Sequence, residues 1–343
     1  MTDEVFAFAV GVTRGNSSGQ TLDCYFPAPL KSPAPEAARV IARHFDAGAS
    51  DVLPEVLSAF VRELADADAN LTPQIARYRQ MLEADRPLRA VRLDSDAPIE
   101  SIEAAYLKLH LLSHRLALPN TLNLEGIFAH LPNVAWTSRG PVDPAELDAA
   151  LVAARLQDEH LEVTSVDKFP RMTNYVVPSG VRIADAARIR LGAYLGEGTT
   201  VMHEGFVNFN AGAMGPNMLE GRVSQGVVVG ANSDLGGSSS TMGTLSGGGG
   251  IRITIGNNCL IGANGGTGIP LGDRCTIEAG LYITAGTPVA VVDEHGEVVK
   301  FVKARELAGG SDMLFIRNSA NGQIECRTNR RAIELNEALH AHN

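Results

Sequence analysis

Residues 183–208 read IADAARIRLGAYLGEGTTVMHEGFVN, and an aliphatic side chain falls on every sixth position: Ile183, Ile189, Leu195, Val201 and Val207. The same register begins at Val177 and resumes after breaks as Val223, Val229 and Leu235, then Ile255 and Ile261, then Leu271, Ile277, Ile283 and Val289. Four residues behind it runs a mostly small register (Ala187, Ala193, Thr199, Gly205, Ser233, Ser239, Cys259, Gly265, Cys275, Thr287), with Val181, Val227 and Leu281 as larger exceptions. A period of six is neither helical nor a two-residue alternation. It predicts a parallel β-helix of hexapeptide repeats, in which each short strand stacks on its copy one coil away. The aliphatics point into a narrow prism, and the small residues share that interior where the chain turns. Gly196, Gly230, Gly236, Gly256, Gly262 and Gly272 directly follow an aliphatic, as expected where a corner needs unusual backbone angles.

A chain of 343 residues is long enough for two or three domains and a substantial core. Its 20% charged and 45% apolar content is that of a soluble globular protein, and its 5% aromatic content suits a thin prism filled by aliphatics. A net charge of −10 argues against a nucleic-acid partner. Local lysines and arginines still leave room for an anionic substrate. The start, MTDEVFAFAV, lacks the basic and apolar regions of a secretion signal, and no apolar run reaches membrane-spanning length, so a cytoplasmic protein without a membrane partner is expected. Cys24, Cys259, Cys275 and Cys326 form no CxxC pair, which points to neither a zinc site nor a redox pair. Cys259 and Cys275 fall in the small register and read as buried filler.

The organisation read along the chain is α+β. Residues 1–160 form a mainly helical N-terminal domain, 161–290 the β-helix, and 291–343 a C-terminal hairpin and helix. Alternation around Arg14–Gly19 predicts an opening hairpin, and helical spacing places helices at 35–47, 53–68, 72–84, 98–117 and 143–156. Leu107, Leu111 and Leu112 make an apolar core stripe. Segments 211–221 and 241–250 interrupt the coils. Loops ejected from a solenoid cluster on its binding face, so a substrate-covering role is expected for the glycine-rich 241–250. Strands are expected near 289–292, 298–302, 313–317 and 324–327, with a last helix over 331–340.

Within Val201–Asn210, Val201 and Gly205 take inward slots and leave His203 and Glu204 near a corner, facing out or along a subunit boundary. A carboxylate beside an imidazole on a rigid frame suits proton transfer or a covalent adduct. Asn208 and Asn210 are expected to form a stacked amide ladder. Only His203 among the histidines lies in 177–289, which excludes a three-histidine zinc site from one chain there.

The blocks VDKFPRMTNYVVPSGVRIAD, LGAYLGEGTTVMHEGFVNFNAG, MGTLSGGGG, LIGANGGTGIPLGD, EAGLYITAG and VKARELAG resemble the long-form tetrahydrodipicolinate N-succinyltransferases. The likeness spans 161–343 and reaches the N-terminal region through YLKLHLLSHRL and LPNVAWTS. It implies a homotrimer of left-handed β-helices with active sites between subunits. It also implies transfer of succinyl from succinyl-CoA to the amine of acyclic 2-amino-6-ketopimelate, the opened form of tetrahydrodipicolinate, in diaminopimelate and lysine biosynthesis. Glu204, in MHEGF, is then the catalytic carboxylate, as an acyl-anhydride nucleophile or as a base for the incoming ammonium. A partly dry cleft strengthens a carboxylate as a base.

Gly221, Arg222 and Ser224 would meet substrate carboxylate or thioester, with Arg222 as a bidentate clamp. Gly262 and Ala263 would admit the pantetheine arm, and Lys303 and Arg305 would meet coenzyme A phosphates. No tightly bound cofactor is expected. Relatives carry a divalent cation (magnesium) on the trimer axis, which Asp185 or Glu197 would approach. The competing readings are an acetyl-CoA-dependent hexapeptide acyltransferase and a non-catalytic β-helical scaffold.

Overall fold

The structure is a computed structural model, and it describes residues 4–83, 86–245 and 250–328. The chain divides into two compact units. The first takes the chain up to Ala117, Thr121–Pro170 and Asn174–Val176; the second takes Leu118–Asn120, Arg171–Thr173 and the described chain from Val177 on.

In the second unit the chain visits three parallel sheets in rotation. The first holds Arg182–Ile183, Thr199–Val201, Asn217–Leu219, Asp234–Leu235, Leu260–Ile261 and Thr276–Ile277. The second holds Phe206–Val207, Arg222–Val223, Ser240–Thr241, Gly266–Thr267 and Tyr282–Ile283, and the third Tyr194–Leu195, Gly212–Ala213, Val228–Val229 and Thr254–Ile255. The hexapeptide rhythm is what stacks them: Leu195, Val207, Val223, Val229, Ile261, Ile277 and Ile283 are fully buried. The stack opens at its start, where Val177 is 67% exposed rather than inward.

Register partners measure each coil. Ile183, Val201 and Leu219 pair at steps of 18 residues, Leu219 with Leu235 at 16, Leu235 with Ile261 at 26, and Ile261 with Ile277 at 16. The expected interruption at 211–221 is therefore no ejected loop. Ala213 and Leu219 carry the inward register straight through it, both fully buried, and the rhythm breaks only because the turn from Leu219 to Val223 is two residues short. The long coil contains the segment after Thr241, where Thr244 and Arg252 bridge antiparallel at the base of a small hairpin. Residues 246–249 lie outside the described residues, as do Ala84 and the helix expected over 331–340.

The glycines behind the aliphatics have a different cause from the one expected. None of the six has a left-handed φ. Each lies where a methyl group would strike the neighbouring coil: 2.0 Å from Met214 O at Gly196, 2.4 Å from Gly272 C at Gly256 and 2.4 Å from Ala279 N at Gly262. The left-handed turns sit two residues later, in the slot of Gly180, Gly192, Gly198, Asn210, Gly226, Asn232, Ser238, Asn258, Asn264, Arg274 and Gly280. Glycine and asparagine dominate there because a Cβ is costly in that region.

The amide ladder expected at Asn208 and Asn210 is absent. Asn208 accepts from Arg190 (3.1 Å), and Asn210 accepts the Asn120 amide (2.7 Å). A polar ladder runs instead through the small register between the third and first sheets. Asn217 donates to Gly230 O and Ser233 O (both 2.7 Å), Ser233 to Gly256 O (2.7 Å), Cys259 to Gly272 O (3.1 Å) and Cys275 to Gly310 O (3.3 Å). Each buried hydroxyl, amide or thiol thus satisfies a corner carbonyl that a bare β-turn would leave unpaired. Beyond the last coil, Pro288–Val292 and Val298–Lys303 form a hairpin, and Met313–Arg317 adds to the first sheet beside Thr276–Ile277 and pairs with Ile324–Thr328.

The first unit is less helical than expected. Its sheet runs Thr21–Tyr25, Ala7–Gly15, Leu88–Leu93, Gly48–Val52, with Leu30–Lys31 also beside Ala7–Gly15. Helices Pro35–His44, Pro54–Ala67 and Thr72–Met81 share a core with Phe8, Val10, Leu57, Phe60 and Tyr78. The helix expected over 98–117 spans only Ile102–Ser113, because the Ser101 hydroxyl caps it by accepting the Ala104 amide (3.1 Å) and Arg115 turns left-handed after it. A three-stranded sheet of Gly140–Val142, Val134–Thr137 and Val163–Asp167 and helix Leu147–Leu156 complete the unit. Among the described residues no helix is long and apolar enough to cross a membrane.

Candidate functional site

The corner that joins the first sheet to the second carries, on successive coils, His203–Glu204, Glu220–Gly221, Gly236–Ser238, Gly262–Ala263 and Glu278–Ala279. Backbone bonds stack it: Met202 N donates to Leu219 O (2.9 Å), and Glu220, Gly236 and Gly262 each donate to the next coil's carbonyl at 2.8 Å. Glu204 and His203 are exposed on this edge. Two coils away, the Ser238 hydroxyl donates to Glu204 Oε2 at 2.8 Å, and no other hydrogen bond from a described residue reaches that carboxylate. Between them lies Gly237. A methyl group there would stand 3.4 Å from Glu220 Oε2 and 3.5 Å from Glu204 Oε2, so two carboxylates border one bare stretch of backbone.

Of the residues anticipated from sequence, Gly221, Gly262 and Ala263 share this corner with Glu204. Two of them have a structural reason to be glycine: a methyl at Gly221 would meet Ser239 Oγ at 2.1 Å, and one at Gly262 would meet Ala279 N at 2.4 Å. That same lack of side chains leaves the edge low. Ala263 is exposed, and its carbonyl accepts the Gly280 amide (2.8 Å).

The others lie elsewhere. Arg222 points out from the second sheet with Nη2 and Nε on Ser240 Oγ (3.0 and 3.2 Å), and it has no carboxylate partner among the described residues. Ser224 is committed to the neighbouring coil: its hydroxyl donates to Thr241 O (2.7 Å) and its amide to Thr241 Oγ1 (3.2 Å). Arg305 reaches Ala285 O through its backbone amide (3.1 Å), and the Lys303 amide donates to Glu306 (3.0 Å). These belong to the next corner, between the second and third sheets. The hairpin after Thr241 leaves from that corner too, where Gly243 packs on Gln225 O.

The two edges differ in charge. The first presents Glu204, Glu220 and Glu278; the second, with the sheet leading to it, presents Arg222, Arg252, Lys303 and Arg305. An ammonium suits the first edge and phosphates suit the second. Glu220 and Ser238 escaped the sequence reading because neither departs from an ordinary surface residue. The signal for Ser238 was its place three after Leu235, a slot most other coils give to glycine or asparagine.

No cysteine serves as a nucleophile here. All four are buried, and the Cys259 thiol, hydrogen-bonded by Cys275 and desolvated, is pushed far above the usual thiol range. Among the described residues no three His, Cys, Asp or Glu side chains converge as a cation site. Asp185 bonds the Ala187 amide (2.8 Å) on the first edge, while Glu197 lies on the corner between the third and first sheets against Gly180, so the two do not form a ligand pair within one chain.

Family models described as tetrahydrodipicolinate N-succinyltransferase N-terminal and middle match residues 54–129 and 131–171, and one for the hexapeptide repeat of succinyl-transferase matches 252–285. Proteins from Pseudomonas putida and Pseudomonas aeruginosa, both named 2,3,4,5-tetrahydropyridine-2,6-dicarboxylate N-succinyltransferase, are 57% and 58% identical, with all of each chain covered. A Vibrio cholerae protein of the same name is 49% identical over 98% of this chain and 99% of its own. The crystal structure of a Campylobacter jejuni protein assigned as a 2,3,4,5-tetrahydropyridine-2-carboxylate N-succinyltransferase superposes with a TM-score of 0.86 at 29% identity, covering 96% of this chain and 94% of that one.

Proposed function

Because the chain belongs to the tetrahydrodipicolinate N-succinyltransferase family, we propose that it transfers succinyl from succinyl-CoA to the amine of 2-amino-6-ketopimelate, the opened form of tetrahydrodipicolinate. The products are the N-succinyl amide and coenzyme A, in the cytoplasmic route to diaminopimelate and lysine. The observation that carries this reading is a single one: a carboxylate, Glu204, held by Ser238 at the head of a corner whose glycines leave a low, open edge.

Amide formation requires the incoming ammonium to lose a proton before its nitrogen attacks the thioester carbonyl. The C–N bond then forms, the C–S bond breaks, and the thiolate leaves with a proton. Glu204 serves this either by taking the ammonium proton or by first accepting the acyl group as an anhydride. The acidic edge binds the amine, and the basic edge with Arg222, Lys303 and Arg305 binds the carboxylates of the substrate and the phosphates of coenzyme A. These edges are different corners of one coil. A site that needs both is therefore shared between copies, which supports a homotrimer of left-handed β-helices with a site at each subunit boundary.

Turnover of tetrahydrodipicolinate with succinyl-CoA and with acetyl-CoA tests the donor. Succinyl-CoA is expected to be preferred, and turnover with acetyl-CoA alone would overturn the assignment. Enzyme incubated with succinyl-CoA and no amine separates the roles of Glu204: a succinylated Glu204 peptide identifies the anhydride, and an unmodified one identifies the base.

A further inference from the structure

Among the described residues of the coils, between Val177 and Val289, twelve have φ in the left-handed region, and ten of them are glycine or asparagine. The exceptions are Arg274 (φ +57°) and Ser238 (φ +57°). Each uses its side chain for a bond to another coil: Arg274 to Asp312 (2.6 Å), Ser238 to Glu204 (2.8 Å). For Arg274 the return is an ion pair that ties the last coil to the strand beyond it. For Ser238 the return is one exposed hydrogen bond to an exposed carboxylate, a contact that adds little to folding. A strained residue kept for so small a structural gain points to a role in the site.

We propose that Ser238 is a positioning residue for Glu204, an inference that rests on the reading of Glu204 as the reacting carboxylate. Its hydroxyl engages Oε2 and so fixes the rotation of the carboxylate and leaves Oε1 as the working oxygen. Gly237 beside it keeps the floor between Glu204 and Glu220 clear, so the amine approaches over backbone. The strain at residue 238 holds the hydroxyl on the Glu204 side of the corner. Orientation of this kind acts on the rate of the bound complex and leaves the affinity for coenzyme A alone.

Ser238→Gly removes the hydroxyl while relieving the backbone, so a structural role and a positioning role predict opposite behaviour. The expected result is a melting temperature equal to or above that of the parent, kcat lower by about 10-fold, and an unchanged KM for succinyl-CoA. Ser238→Asn, which tolerates the left-handed turn and offers an amide donor, is expected to recover part of the loss. In a Glu204→Gln background, Ser238→Gly is expected to cause no further loss. Parental kcat in Ser238→Gly while Glu204→Gln is impaired would overturn this inference and leave the function standing. A kcat loss of equal size in both backgrounds would also overturn it. Full activity in Glu204→Gln would instead remove the reading on which it rests.

Discussion

Single residues in this chain are chosen by what lies one coil away. Gly256 is glycine because a methyl would sit 2.4 Å from Gly272 C, whereas Gly280 is glycine because φ is +73°, with nothing within 4 Å of its missing Cβ. The substitutions should therefore separate. Gly256→Ala is expected to destabilise by about 1–3 kcal/mol through overpacking. Gly280→Asn should cost little, since asparagine tolerates the left-handed turn. Denaturant midpoints check both, and equal effects would contradict the distinction. Lys108 shows the same dependence on neighbours in the first unit. It is 1% exposed, and its ammonium donates to Asp96, Ala97 O and Asn123 O, each at 2.6 Å. Lys108→Met leaves a carboxylate and two carbonyls without their donor and should cost about 3–5 kcal/mol in the same measurement. In sequence, Lys108 stood inside an apolar stripe with no sign of its three acceptors, which come from the segments just before and after its helix, 11 to 15 residues away.

Helix Ile102–Ser113 makes the first unit sensitive to pH. His110 is fully buried, its Nδ1 2.7 Å from Tyr106 O and its Nε2 accepting the Phe26 amide (3.2 Å), an arrangement for the neutral ring. Burial pushes His110 down to about 3 and His114 down to about 4, from 6.5. An unfolded chain takes up these protons first, so stability is complete above pH 6.5 and falls as the pH drops toward the folded values. The expected slope is at most about 1.4 kcal/mol per pH unit for each histidine, and a denaturation midpoint constant between about pH 7.5 and pH 5 would contradict it. At this scale the coils were legible because one inward side chain repeats at each strand. The strands Gly48–Val52 and Leu88–Leu93 were not, since GASDV has no apolar pattern and Arg92 sits buried where alternation would place a hydrophobe. The short turn at 219–223 was hidden because Ala213 reads as a gap in an aliphatic series while filling its slot.

For the whole molecule, Glu204, Gly221, Gly262 and Ala263 sit on one corner of the second unit and Ser224, Lys303 and Arg305 on another. The coil stacking fixes the corner for Glu204, Gly221, Ser224, Gly262 and Ala263, and the terminal hairpin brings Lys303 and Arg305 to theirs. The sequence could not show that the anticipated site divides into two edges, because the corner assignment depends on the coil lengths of 16, 18 and 26 residues. A shared site predicts complementation. Glu204→Gln and Lys303→Ala/Arg305→Ala chains should each be impaired alone and recover activity when co-assembled, since some boundaries then pair two intact edges. Light scattering should give three copies of the 36.3 kDa chain per particle. Co-assembled variants with no gain in activity, or a monomer at full activity, would refute the shared site. The most direct measurement is kcat for succinyl transfer by Glu204→Gln, taken with its melting temperature and its affinity for succinyl-CoA. An essential Glu204 predicts kcat lower by about 10²–10⁴-fold with the other two unchanged, and an undiminished kcat would contradict it.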